Sequence, residues 1–397
     1  MKRIAVIFEG NINNRLGVFN AVLNRVKHLR RIAPYDIDLH MLQVYDGTVM
    51  SKLRGSKHQA DRPQTIEADG ETFHMHWFKR SWLDALGHRL LGRRPPHLLH
   101  WLDDLAGSMS SYHLISAHDR MAGIVAQRAA AMHHIPHFIT WHGASIYTDP
   151  PRDPMLKAVT CELLHGADMN FFVSHGLHEK ALLLTTGFPA DVLFNGASKA
   201  FTRYPDDERA ALRQQFGVEG TKVVTFVGRF EPVKNVTLLP RIFTEIARKY
   251  GKPVTFWTIG HGIQHHEVEQ AMAQQHIDCK MWGMQPLDMM PRLMNCTDVL
   301  VLPSLLEGLP LVTLEALQCG ANVVATNVVG TAEGIGRENA IDIDDNFLDN
   351  FTNRAVEMLQ GRVQQSLPQH ISWEATAVKE NKIYLEALNV PQANHAQ

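Results

Sequence analysis

Cysteine is scarce in this chain of 397 residues: Cys161, Cys279, Cys296 and Cys319 lie far apart and form no CxxC pair. That spacing argues against a disulfide framework and points to reduced core or surface thiols in a reducing compartment. A surplus of charge is also lacking. Lysine and arginine number 39 against 41 aspartates and glutamates, a formal net charge of -2. A protein that holds nucleic acid mainly by its phosphates needs a basic excess and is excluded. Anionic small molecules stay open, because a few local cations suffice for them. No stretch approaches the roughly 18 uninterrupted apolar residues of a membrane span. The nearest, Asp298 to Leu317, is broken by Pro303, Glu307, Gly308, Pro310 and Glu315. The basic start Met1-Lys2-Arg3 precedes only a short apolar run, Ile4 to Phe8, which meets Glu9-Gly10-Asn11. It reads as a first buried strand and not as a signal peptide. The expectation is a cytoplasmic protein.

What is present is the composition of a globular enzyme-sized chain, 45% hydrophobic and 20% charged, too long for one core and hence expected to form two domains. Short apolar runs alternate with helical patterns. Ile4–Phe8, Ile37–Val44, His113–Ala117, Phe138–Trp141, Met169–Val173 and Asp191–Phe194 read as strands of a first α/β domain over 1–197. Gly17–Arg31 and the alanine-rich Met121–His133 read as helices of that domain. A linker with a short helical piece around Arg209–Phe216 spans 198–220. A second α/β domain over 221–372 carries strands at Val223–Val227, Val254–Ile259, Cys279–Trp282, Val299–Leu302 and Val323–Ala325. Apolar strands with intervening helices predict parallel sheets covered on both faces. Such sheets take ligands beyond the carboxyl ends of their strands.

Two motifs carry chemistry. Glu307-Gly308-Leu309-Pro310-Leu311-Val312-Thr313-Leu314-Glu315-Ala316 follows a buried strand and opens a helix. Pro310 suits the first helical turn, Gly308 allows close backbone approach, and the N–H groups of the helix start favour an anion such as a diphosphate. Glu307 and Glu315 suit contacts to hydroxyls of an extended polar ligand, although singly they read equally well as a dipole cap and a solvated carboxylate. Gly228-Arg229-Phe230-Glu231-Pro232-Val233-Lys234-Asn235 directly follows another strand. It places two cations at a sheet edge, where they can stabilise charge growing on a departing diphosphate. A lone Arg and Lys would more often be a solvated surface pair.

Together these residues resemble the two donor-site signatures of the family 4 retaining glycosyltransferases of the GT-B fold. Further residues match in order: Trp141-His142-Gly143, Ala167-Asp168, Val173-Ser174, Asn195-Gly196, Pro303-Ser304, Gly330 with Glu333, and Ser372-Trp373-Glu374. The resemblance implies two Rossmann-like domains facing each other across a cleft, with a helix over 373–397 crossing back towards the first domain. It implies that Arg229 and Lys234 hold the donor diphosphate, Glu315 contacts the ribose, and Glu307 hydrogen-bonds the transferred sugar. Backbone of Gly308, Leu309, Pro310 and Leu311 would contact that sugar or the phosphate, and His142 would sit under the anomeric centre. The implied reaction moves a hexose from a UDP- or GDP-sugar to a hydroxyl of a glycan or lipid-linked acceptor in cell-surface polysaccharide synthesis. It retains anomeric configuration and requires no metal or cofactor. Base recognition is expected from backbone near Trp282–Pro286. The chain departs from the family where Glu9 to Gly17 replaces a glycine pair after the first strand. Gly17 remains available for close approach to the donor. His118 and Asn11 are candidate acceptor contacts.

Other readings are a sugar-nucleotide epimerase or phosphorylase of the same fold, and a non-catalytic sugar-nucleotide binder. A dehydrogenase is disfavoured because Gly10 to Gly17 does not spell G-x-G-x-x-G. Among 23 histidines, His74 with His76, His133 with His134, and His265 with His266 form no compact ligand set, so no metal is expected. Lys79 to Trp101 alternates basic Lys79, Arg80, Arg89, Arg93 and Arg94 with Trp82, Leu83, Leu86, Leu90, Leu91 and Trp101. As a helix it would be amphipathic, suited either to core packing or to peripheral contact with an anionic membrane.

Overall fold

The computed structural model describes residues 1–11, 17–46, 62–80 and 96–389. By its internal contacts the chain divides into two units, one of Met1–Leu193 with Glu374–Gln397 and one of Phe194–Trp373.

The first unit is built on β1 (Arg3–Glu9), α1 (Val18–Ile32), β2 (Asp36–Asp46), β3 (Thr65–Ala68), β4 (Glu71–Arg80) and α2 (Pro96–Gly107). It continues through β5 (Leu114–His118), α3 (Asp119–His133), β6 (His137–Trp141), α4 (Ala144–Tyr147), α5 (Pro154–Gly166), β7 (Met169–Phe172), α6 (His175–Leu182) and β8 (Ala190–Val192). The sheet order is β3-β4-β2-β1-β5-β6-β7-β8. Every pairing is parallel except β3 with β4. The central strands β1, β5 and β6 are buried almost throughout, which explains why they read as unbroken apolar runs and not as alternating ones. The β3–β4 hairpin escapes that signal because it carries His74, His76, Lys79 and Arg80 at the sheet margin. Lys79 and Arg80 therefore end a strand, and Trp101 belongs to α2. Lys79 to Trp101 is thus not one helix, and its residues 81–95, with Trp82, Leu83, Leu86, Arg89, Leu90, Leu91, Arg93 and Arg94, lie outside the described residues.

The second unit contains α7 (Asp206–Gln215), β9 (Lys222–Val227), α8 (Leu239–Tyr250), β10 (Val254–Ile259), α9 (His265–Gln274), β11 (Cys279–Met281) and α10 (Met289–Cys296). After these come β12 (Val299–Leu302), α11 (Leu311–Gln318), β13 (Asn322–Thr326), α12 (Thr331–Ile335), β14 (Ala340–Ile341) and α13 (Phe347–Leu359). Its parallel sheet runs β11-β10-β9-β12-β13-β14, the doubly wound order in which the chain reverses direction between its first and fourth strands. Val224, Phe226, Phe243, Phe256, Leu300 and Val324 form the centre of its core. The segment read as a linker packs into this unit. Arg213 donates to the carbonyl of Cys296 at 2.7 Å, Tyr204 N–H donates to Asn295 at 2.8 Å, and Phe216 meets Trp257 and Trp282 edge-on.

The last helix, α14 (Trp373–Asn389), counts with the first unit from Glu374 onward. Ala377 and Tyr384 enter that unit's core, and Lys379 reaches Asp191 at 2.5 Å.

Candidate functional site

In the second unit β9 and β12 are neighbours whose chains continue to opposite sides of the sheet, and the crevice at such a reversal is where doubly wound sheets place ligands. Both chemistry-bearing motifs lie there. The loop leaving β9 is pinned by backbone: Gly228 N–H to Ile259 at 3.0 Å and Phe230 N–H to His261 at 3.1 Å. Phe230 is fully buried as an anchor. A Cβ on Gly260 would stand 2.0 Å from the Gly228 carbonyl oxygen, and its φ of 129° suits no other residue, so β9 and β10 meet backbone to backbone at this edge. The β9 and β12 loops are tied by Leu305 N–H donating to Val233 at 2.8 Å.

Across that tie, Lys234 Nζ lies 2.6 Å from Glu307 Oε1, with side-chain exposures of only 18% and 10%. Arg229 is half exposed and donates to Glu231 at 2.8 Å. Pro310 caps α11 from just outside the helix, with φ -71° and ψ 115°, one step earlier than the sequence suggests. Leu311 opens the helix, whose first N–H groups provide positive partial charge. Burial alone pushes the Glu315 carboxyl up to about 7, so near neutrality this acid can donate as well as accept a hydrogen bond. The hydroxyls of Ser304, Thr326 and Thr331 are buried without a partner among the described residues. In the loop after β13, Val329 takes φ 43°, a costly conformation for a β-branched side chain.

In the first unit the carboxyl ends of β1, β5 and β6 converge. His118 closes β5 and is 2% exposed. Its Nδ1 lies 2.9 Å from Nε2 of His142, with ring planes 22° apart. His142 follows β6 and is followed by Gly143, whose φ is 145°. Its backbone N–H donates to Asp119 at 3.2 Å. Asp119 itself adopts φ 63° and is further held by Ser145. Burial drives the Asp119 carboxyl up to about 7 despite these bonds. Burial also lowers His142 to about 3, assisted by the cation of Arg25, and carries His118 well below its ordinary value. Both rings are uncharged at neutral pH.

The structure therefore gathers Arg229, Lys234, Glu307, Gly308, Leu309, Pro310, Leu311 and Glu315 on one edge of the second sheet, and pairs His118 with His142 on the first. His118 is buried and hydrogen-bonded to His142. Lys234 and Glu307 form one ion pair. Asn11 is exposed after β1, and Gly17, at φ 56°, precedes α1; residues 12–16 between them lie outside the described residues. His76 is spent on His40 at 2.9 Å, and His40 in turn on Tyr112. Among the described residues no group of three or more His, Cys, Asp or Glu could hold a metal ion, and no helix is long and apolar enough to cross a membrane. Asp119 and Glu231 carried no signal in the sequence, because their contacts depend on which backbone or guanidinium the fold brings to them.

Residues 221–361 match the family model described as Glycosyl transferases group 1. The 2-deoxystreptamine glucosyltransferase of Streptomyces kanamyceticus is 32% identical over 143 residues, covering 34% of this chain and 37% of that protein. The D-inositol 3-phosphate glycosyltransferase of Rhodococcus jostii is 29% identical over 205 residues, covering 47% and 45%. The chain thus spans about a third to a half of the length of these curated relatives. The solved structure of Anabaena Alr3699/HepE in complex with UDP and glucose superposes with a TM-score of 0.67 at 19% identity, covering 97% of this chain and 99% of that one. Sucrose-phosphate synthase from Thermosynechococcus elongatus gives 0.70 at 17% identity, with the same coverage. The match to group 1 glycosyl transferases is thus confined to the second unit, and the likeness to the solved structures shows that the chain has the GT-B fold.

Proposed function

We propose that this protein is a retaining glycosyltransferase that moves a hexose from a nucleoside diphosphate sugar, UDP-linked in the first instance, to a hydroxyl of a glycan or lipid-linked acceptor. The observation that carries the reading is the Lys234–Glu307 pair at the β9–β12 crevice, with Arg229 beside it. A cation and a carboxylate held 2.6 Å apart match a ligand that carries phosphate next to sugar hydroxyls. The group 1 match of the second unit and the UDP bound in the Anabaena protein support the same donor class.

In this mechanism Lys234, Arg229 and the N-terminus of α11 bind the diphosphate. As the bond between C1 and the phosphate oxygen breaks, negative charge builds on the leaving group, and these fixed positive groups stabilise it more than they stabilise the ground state. The acceptor oxygen forms the new bond to C1 on the same face. Its proton passes to the departing phosphate, so no charge accumulates. Glu307 orients the sugar through its hydroxyls, and Glu315 takes the ribose. His142, as an uncharged ring, is the first unit's contribution, with Asn11 as an acceptor contact and Gly17 giving close backbone approach to the donor. No metal or cofactor is required, because the protein supplies the positive charge itself. The protein is cytoplasmic and meets lipid-linked acceptors at the inner membrane face.

A thermal-shift panel of UDP, GDP, ADP and their glucose conjugates tests the donor class, since a ligand that binds only the folded state raises its melting point. UDP and UDP-glucose are expected to stabilise most. Absence of a shift with every diphosphate would sink the proposal. Proton NMR of the product from an α-linked donor tests retention, and turnover unchanged in EDTA tests metal independence. An epimerised nucleotide sugar with no transfer product would favour the epimerase reading. Flotation with anionic liposomes tests the membrane contact.

A further inference from the structure

Arg25 lies on α1, faces the core and is 4% exposed. Its Nε lies 2.5 Å from Glu380 on α14, its Nη1 lies 2.8 Å from Thr140 Oγ1 on β6, and its guanidinium covers the Phe171 ring at 5.4 Å. The second carboxylate oxygen of Glu380 accepts from Tyr384 at 2.5 Å. Nη2 of Arg25 is buried with no partner among the described residues. As a device for docking α14 this is a poor choice. A buried ion pair loses hydration that apolar side chains of equal volume would not lose, and such replacements are often neutral or stabilising.

The position of the network suggests another use. Thr140 is the register partner of His118 across β5 and β6, and residues two apart on a strand share a face, so Thr140 leads to His142. Arg25 is thus bonded to the residue that lies in register with His118 and two positions before His142, and its charge is felt by both rings. We propose that Arg25 is a positioning residue of the first unit's site: anchored by Glu380 and Thr140, its cation holds His118 and His142 in one uncharged, hydrogen-bonded arrangement.

This rests on the proposed part of His142 in the transfer, for which an uncharged ring has a clear use. The sugar ring gains positive character as its bond to phosphate loosens, and an imidazolium nearby would oppose that charge. Like-charge repulsion from Arg25 acts on both rings in the same direction as burial. The other ionisable groups around the pair are accounted for. Asp119 receives the His142 N–H, Arg120 pairs with Asp149 at 2.6 Å, Glu9 acts on Asp119, and Glu380 and Tyr384 face Arg25 from α14.

The test uses the full chain labelled at histidine, with the two rings assigned through H142Q and H118Q, and follows nitrogen shifts across pH beside the pH dependence of UDP-glucose turnover. In the wild type both rings are expected to be neutral tautomers at pH 5.5; an imidazolium on either overturns the proposal without recourse to any variant. In R25M/E380Q, which removes both charges at similar volume, the His142 titration and the acid limb of turnover are expected to rise by about one pH unit, a tenfold change in ring protonation. R25K is expected to restore both. If neither moves in R25M/E380Q, Arg25 does not hold the pair. If the rings titrate higher while the acid limb stays, the hold of Arg25 stands and the part given to His142 in the reaction is refuted.

Discussion

Replacing Lys234 by Met strips the counter-charge from a carboxylate that the fold keeps almost out of water. Glu307 is 8% exposed, and its Oε1 lies 2.6 Å from the Lys234 ammonium. Breaking a fully buried pair on one side costs about 3–5 kcal/mol. With side chains still 10% and 18% exposed, water relieves some of this, leaving about 1–3 kcal/mol. For a unit of this size that corresponds to a fall in its melting temperature of roughly 2–4 °C per kcal/mol. E307Q leaves a more exposed ammonium beside a neutral amide that can still accept, and is expected to lose about 1 kcal/mol or less. K234M/E307Q removes both charges and is expected to lie closer to wild type than K234M, giving a coupling of about 1–2 kcal/mol in a double-mutant cycle. Calorimetry of the four proteins reads the cycle, and UDP titration separates structure from binding. K234M is expected to lose UDP affinity about tenfold or more, while E307Q is expected to keep it, because the lysine is then no longer shared. Additive melting losses would refute the pair as a coupled unit. Wild-type UDP affinity in K234M would refute its assignment to the diphosphate.

Acid is expected to weaken the first unit in particular. His40 and His142, lowered to about 3, His76, lowered to about 4, and His118 stay neutral when folded but take protons near 6.5 when unfolded. The unfolded state therefore binds more protons, and stability falls as pH drops below 6.5 by about 1.4 kcal/mol per unit per ring. The raised carboxyls of Asp119 and Glu9 oppose this by holding protons in the folded state. Four rings against two carboxyls leave a net loss of stability as pH falls from 6 to 4.5, and a flat urea midpoint over that range would contradict it. Gly260→Ala, with its Cβ 2.0 Å from a carbonyl oxygen, is expected to cost more than about 3 kcal/mol or to prevent folding of the second unit; near-native melting would show that β9 and β10 do not meet in this way. Val329→Gly, relieving φ 43°, is expected to raise the second unit's melting temperature despite the added chain entropy, and a fall would mean that Val329 is not strained.

The sequence by itself determined the α/β class, most of the strands and the donor-side residues. Buried parallel strands must be apolar throughout, so β1, β5, β9, β10 and β12 announce themselves. A helix start after a buried strand locates Glu307 to Glu315 without any tertiary knowledge. β3 was missed, and β4 shows only in the alternation of His74 and His76, because a marginal hairpin bearing those residues and Arg80 has no such run. Residues 198–220 look like a linker because their polar surface conceals contacts, such as that of Arg213 with Cys296, which pair residues far apart in the chain. Tertiary structure alone decided that Lys234 pairs with Glu307, that His118 bonds to His142, and that Arg25 meets Glu380 across 355 positions. These are relations between side chains on different elements. Local pattern fixes the direction a side chain leaves its own strand or helix, while its partner is fixed by strand order and register, which bring together residues that nothing in the sequence links.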